Sequence, residues 1–217
     1  MILNNNFTSI TYLGSFNPNI LTERFLTENN ILGFLAEPLK TKTTSIASNI
    51  EYKDLSLISD LKSFTVIEKK IDDFTKARNV TIANNYIDLL RYTPVKSSAL
   101  NLNSNLKLPD IEDILIMFNL KDDILDFFEA QSYTVNTSRR YIGEEEAIMN
   151  VGLGIKLKGS KTINIGLKRL KNDIFNYNFN YFVSAIDKNP DDLDYIFSNF
   201  KKIVDKFCST NHKFFKK

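Results

Sequence analysis

Acidic side chains gather at two places along the chain, and each gathering is raw material for a cation site. Glu144, Glu145 and Glu146 follow closely on Arg139 and Arg140. Paired carboxylates bind Mg²⁺ or serve as general acid and base. Adjacent residues on a strand point to opposite faces, so only Glu144 and Glu146 can converge, and a solvated hairpin turn accounts for the run more simply. Asp122, Asp123 and Asp126 raise the same question at an expected helix start. Asp122 and Asp126 share a helix face, yet capping and the helix dipole already explain acids there. Glu146 with Lys156 and Lys158 makes the acid-and-lysine trio of a metal-dependent nuclease, a trio that most antiparallel sheets offer by chance. Gly152-Leu153-Gly154 opens like a phosphate-cradling loop, but Leu157 stands where the dinucleotide fingerprint needs its third glycine. Glycines on the polar side of a strand mark a bulge or a close backbone approach instead. Cys208 and His212, the single cysteine and histidine, lie four residues apart and fall short of a four-ligand zinc site. Cys208 borders an apolar helix stripe and is expected to be a buried structural thiol. These patterns assign no catalytic, cofactor-binding or metal-ligating residue.

A set of basic and amide side chains survives that filter. Residues 147–171 carry Lys156, Lys158, Lys161, Lys168, Arg169 and Lys171 with no acid among them, whereas residues 110–129 carry seven acids against Lys121. Strand alternation places Asn150, Lys156, Lys158, Asn164 and Lys168 on one side of neighbouring strands, with Asn176, Asn178 and Asn180 extending it. Lysine and asparagine contact phosphates and sugars readily. Stacking platforms for single strands also need exposed aromatics. Phe175, Tyr177 and Phe179 alternate onto the other side, which leaves backbone-level nucleic-acid contact.

The elements that hold these residues follow from periodicity. Val151, Leu153, Ile155 and Leu157 alternate with polar residues over 150–158, Gly159-Ser160 turns the chain, and Ile163, Ile165 and Leu167 alternate again. That is a β-hairpin with a connection of two residues or slightly more. Strands over 133–142 and 173–186 complete an antiparallel meander with one apolar side. Asn189-Pro190-Asp191-Asp192 has the cap, proline and acids of a helix start. Leu193, Ile196, Phe197, Phe200, Ile203, Val204 and Phe207 then recur at helical spacing, so a long C-terminal amphipathic helix covers the apolar side. Nearer the N-terminus, strands are expected over 7–16, 44–52, 55–59, 64–70 and 95–108, with helices over 21–30 and 73–92. Two helical pieces, 111–118 and 122–130, follow Pro109-Asp110. The halves share a rough order of strands and one longer helix, without a residue-level repeat.

The 217 residues are 43% hydrophobic and 25% charged, which suits a globular chain able to bury a core without disulfides or metal. The net charge of +2 implies no affinity for nucleic acid or membrane by itself. No run is long and apolar enough to span a bilayer, and no signal-peptide pattern opens the chain. With an unpaired cysteine, the expected compartment is the cytoplasm. Asparagine richness, the lack of Trp and the excess of Lys over Arg suit an AT-rich bacterial or phage genome. The expected fold is α+β: antiparallel sheet or sheets, with helices packed on one side. It should form a single compact unit over 1–217, with sub-halves at 1–108 and 109–217.

Two segments resemble known sequence. Gly14-Ser15-Phe16-Asn17-Pro18-Asn19-Ile20-Leu21 is similar to the N-F-N-P-x-I-F opening of a group of small uncharacterised bacterial proteins. Leu90-Arg91-Tyr92-Thr93-Pro94-Val95, continuing through Ala99 to Asn101, is similar to that group's L-x-H-T-P-V-x-A-x-G-x-N segment. Here Tyr92 replaces the histidine and Leu100 the glycine. The resemblance implies a bacterial or phage-borne protein of similar fold and assigns no site residue. Read locally, Asn17-Pro18 is a turn after a strand, and Thr93-Pro94 a helix stop. The leading expectation is a non-enzymatic interaction or adaptor subunit of a bacterial or phage multi-protein system, defence among the settings, with a protein partner or a homo-oligomer. The alternatives are a nucleic-acid-binding accessory protein using the basic sheet face, and a metal-dependent hydrolase with Asp or Glu ligands.

Overall fold

A computed structural model of the chain describes residues 2–33, 37–90, 92–107, 121–142, 145–171, 174–184 and 195–215. The first half runs β1 (Ile2–Gly14), α1 (Glu23–Glu28), β2 (Lys40–Thr43), β3 (Ala47–Glu51), β4 (Leu55–Asp60), β5 (Ser63–Lys69), α2 (Asn79–Leu89). The second runs β6 (Val95–Lys107), α3 (Lys121–Phe128), β7 (Ser132–Ile142), β8 (Glu145–Lys156), β9 (Lys161–Lys171), β10 (Ile174–Ser184), α4 (Tyr195–Phe215). Among the described residues each half is therefore one strand, a short helix, four strands and a longer helix. The two halves, without a repeat in their residues, share this order of elements. The strands hydrogen-bond in the order β2-β3-β4-β5-β1-β6-β10-β9-β8-β7, so the α+β class with a large antiparallel sheet holds. No helix among the described residues is long and apolar enough to cross a membrane.

The chain divides into two compact units, each discontinuous in sequence. Unit 1 contains residues 1–6, 101–182 and 201–217, and unit 2 contains residues 7–100 and 183–200.

In unit 2, Phe64 of β5 stacks on Tyr86 of α2, with ring centroids 4.0 Å apart and 18° between planes. Phe25 of α1 meets Tyr86 edge-on at 5.9 Å. Burial pushes the Tyr86 hydroxyl well up from its ordinary pKa. The start of α2 is held from outside the helix. Glu68, buried on β5, accepts the backbone N–H of Arg78 at 2.6 Å and that of Asn79 at 3.1 Å, and takes the Arg78 guanidinium at 2.8 Å. A carboxylate there meets two otherwise orphaned donors and the positive end of the helix.

In unit 1, Tyr177 and Phe179 of β10 lie against Phe207 of α4. Tyr177 stacks on it at 5.0 Å with 10° between planes, and Phe179 meets it edge-on at 5.9 Å. Val151, Leu153 and Ile155 of β8 and Ile163, Ile165 and Leu167 of β9 are buried. Ile124 and Phe128 of α3 are buried as well. The Lys206 ammonium bonds to the Phe127 carbonyl and lies 4.2 Å from the centre of that residue's ring. Burial lowers the Lys206 pKa, with Lys213 adding to the effect and Glu129 opposing it.

Several expectations change. The helix over 73–92 splits: Asp73 accepts the N–H and hydroxyl of Thr75, a 3₁₀ turn forms at Phe74–Lys76, and α2 starts only at Asn79. β2 is an added strand that periodicity does not show. Cys208 is exposed, not buried, because one helical step of about 100° carries it away from Phe207. Phe197, placed on the apolar stripe, is 42% exposed, while Ile196, Ile203, Val204, Phe207 and Thr210 are buried. The expected helix start at 189–192 and the piece at 111–118 lie outside the described residues.

Candidate nucleic-acid interface

The register of unit 1's strands brings most of the polar set together. Asn150 stands opposite Lys168, Gly152 opposite Gly166, Gly154 opposite Asn164, and Lys156 opposite Thr162. On the other side of β8, β7 contributes Ser138 opposite Asn150, Asn136 opposite Gly152, Thr134 opposite Gly154 and Ser132 opposite Lys156. Asn150, Lys156, Asn164 and Lys168 are all exposed. Lys158 is exposed too, but in the β8–β9 connection beyond the last residue of β8, not on the strand. That connection spans residues 157–160, closes through Leu157 N–H to Lys161 carbonyl at 3.0 Å, and needs Gly159 for its positive φ of 73°.

Toward β10 and β6 the face becomes a ladder of amides. Asn180 donates to Asn101 at 2.7 Å, Asn178 to Asn103 at 2.8 Å, and Asn176 to Asn105 at 3.3 Å. Residue numbers rise on β6 as they fall on β10, as neighbouring antiparallel strands require. Asn164 reaches the Asn180 carbonyl oxygen at 3.5 Å, which links the hairpin to the ladder. Asn150 donates to the Ser138 hydroxyl at 2.7 Å. An amide nitrogen carries two N–H groups, so one can hold a neighbour while the other is offered outward.

Glycine shapes the middle of the face. A Cβ on Gly166 would come no closer than 4.0 Å to a neighbour, and one on Gly152 no closer than 3.8 Å. Gly152 and Gly154 do not mark a bulge, but a Cβ on Gly154 would stand 2.9 Å from the Thr134 hydroxyl oxygen, a close approach by a side chain where one by a backbone was the expected alternative. The register shift lies between Ser138 and Arg139, away from both. The glycines lower the floor between the side chains of β7 and those of β10. Lys156 and Lys168 lie toward opposite ends of this floor, about 20 Å apart at the rise of a strand. The described side chains of β7, β8, β9 and β10 include no acid.

Asn101 and Asn105 extend the face, with Asn103 buried between them, and the residue patterns alone do not single these three out. Their alternation with Leu100, Leu102 and Leu106 is visible in the chain, but their place beside β10 is a long-range pairing. Of the acidic candidates, Glu144 and the side chains of Asp122, Glu145 and Glu146 lie outside the described residues. Asp123, Asp126 and His212 are exposed. No three His, Cys, Asp or Glu side chains gather around a common point among the described residues.

The segments that carry the resemblance meet in unit 2. Ser15 N–H donates to the Pro94 carbonyl at 3.2 Å, and Phe16 N–H to the Leu61 carbonyl at 3.2 Å. A Cβ on Gly14 would stand 2.5 Å from the Pro94 oxygen, so only glycine lets the two backbones approach this closely. Around this junction Leu13, Leu61 and Tyr92 stay in solvent, 42%, 51% and 101% exposed. No protein-family model matches the chain. No curated protein matches it significantly in sequence.

Proposed function

We propose that the chain is a non-enzymatic binding protein of the cytoplasm, and that the polar sheet face of unit 1 holds a nucleic-acid backbone. One observation carries this reading. Strand register gathers Lys156, Lys168 and a field of amides on one surface whose described side chains include no acid. Cations and N–H donors without competing carboxylates are what phosphate oxygens require. In this account the helices lie on the opposite side of the sheet and leave the polar side to the ligand. Tyr177 and Phe179 are buried against Phe207 and offer bases no stacking surface, so contact runs through the backbone and is independent of sequence. The test is binding of labelled oligonucleotides, single-stranded and duplex, to the chain and to Lys156→Ala/Lys168→Ala as salt is raised. Losing two phosphate contacts should flatten the log–log salt slope by about 1.4–1.8, alike for all sequences. An unchanged slope removes this face from the account.

A second reading, the adaptor subunit, has its own observation in unit 2. The junction of Ser15 with Pro94 is fringed by exposed Leu13, Leu61 and Tyr92, the kind of apolar and aromatic residues that protein interfaces enrich. Purification of the tagged chain from its host separates the two. A stoichiometric protein partner released by Leu61→Asp/Tyr92→Asp favours the adaptor. Nucleic acid released by salt favours the sheet face.

A further inference from the structure

The outermost strands of the sheet differ in a way that bears on assembly. β2 has four residues, all exposed, and two of them are Lys40 and Lys42. Short length and lysine are the devices that keep a sheet edge from pairing with another chain. β7 has eleven residues and stands at the other end of the strand order. Its run from Ser132 to Ser138 pairs with β8 for seven consecutive residues before the register shifts. Ser132, Tyr133, Thr134, Val135, Asn136, Thr137 and Ser138 include no charge, proline or glycine. Among the described residues no strand lies on the far side of β7.

We propose that β7 pairs with β7 of a second copy of this chain, antiparallel about a two-fold axis at Val135. The sequence is complementary to itself in that register. Ser132 falls opposite Ser138, Tyr133 opposite Thr137, Thr134 opposite Asn136, and Val135 opposite its own copy. Each pair places residues of one sheet side together, as a continuous sheet demands. Thr134 with Asn136 and Tyr133 with Thr137 are favourable cross-strand partners, and Arg139 meets Gln131 rather than another cation. The interface is isologous and closes as a dimer, without the open-ended growth of a head-to-tail contact. Pairing also joins the two polar faces across β7, so the lysine-and-amide surface doubles in length.

Light scattering on the eluting full-length chain tests this. The expected mass is twice the 25.0 kDa of the chain. Thr134→Lys/Asn136→Lys sets lysine against lysine across the axis while staying on the solvent side of a strand. That variant should elute as a monomer with an unchanged circular dichroism spectrum. Thr134→Glu/Asn136→Glu should do the same alone, and an equimolar mixture of the two variants should recover the dimer. A parent chain that is monomeric at every concentration, or a dimer that persists in both variants, overturns the proposal. So does a variant mixture that stays monomeric.

Discussion

Asn178 shows how little freedom the amide ladder leaves. It is the hydrogen-bond donor, at 2.8 Å, to Asn103, which is only 5% exposed. Replacing Asn178 with alanine removes that donor and leaves a buried carbonyl oxygen short of its bond, at a cost of about 1–3 kcal/mol. Urea unfolding should show this loss, with a smaller one for Asn176→Ala, whose bond is longer at 3.3 Å and whose partner Asn105 is less buried. Asp60 makes a second residue-scale case. Burial works against its charge, but the N–H of Lys62 and the hydroxyl and N–H of Ser63 outweigh it and hold the carboxyl below its usual range. Its stabilising contribution is present above the unfolded-state value of about 3.9 and is lost as pH falls through the lower folded value. Asp60→Asn should therefore flatten the acid limb of a stability-against-pH curve; a limb as steep as the parent's would show that other carboxylates set it. Individual polar roles of this kind are readable from sequence only when the partner is local. Asp60, Lys62 and Ser63 are neighbours in the chain, whereas Asn103 and Asn178 are 75 residues apart.

At the scale of elements, Phe207 packs α4 against β10. It is fully buried against Tyr177 and Phe179, and Phe207→Ala should cost about 3–5 kcal/mol in thermal or urea unfolding. Cys208→Ser, one residue on and exposed, should cost almost nothing. Elements with strict periodicity are legible in the chain. β8 and β9 alternate between apolar and polar residues, and the mapped register keeps that alternation intact. β2 is not legible, because Lys40, Thr41, Lys42 and Thr43 are all exposed and give no alternation to read. The break before α2 is equally hidden. It depends on Asp73 capturing Thr75 and on Glu68 of a different element capping the helix.

Across the whole molecule, the paired order of strands and helices is the feature that single residues conceal most. The halves share no residue-level repeat, yet β1 and β6 are neighbours in the sheet, and β5, β4, β3, β2 and β10, β9, β8, β7 follow them outward. The physics that fixes an element — apolar period, turn residue, cap — tolerates wide substitution, so topology outlasts sequence similarity. The α+β class and the lysine-bearing hairpin were open to inspection for the same reason. The amide half of the candidate site was not, because it exists only once β6 lies beside β10. The measurement that bears most directly on this account is fluorescence anisotropy of labelled oligonucleotides of unrelated sequence, titrated with the full-length chain across a salt series. A backbone-binding sheet face should give binding that weakens steadily with salt, varies little between sequences, and loses part of its salt dependence in Lys156→Ala/Lys168→Ala. Absence of binding at low salt, or binding indifferent to both lysines, contradicts it.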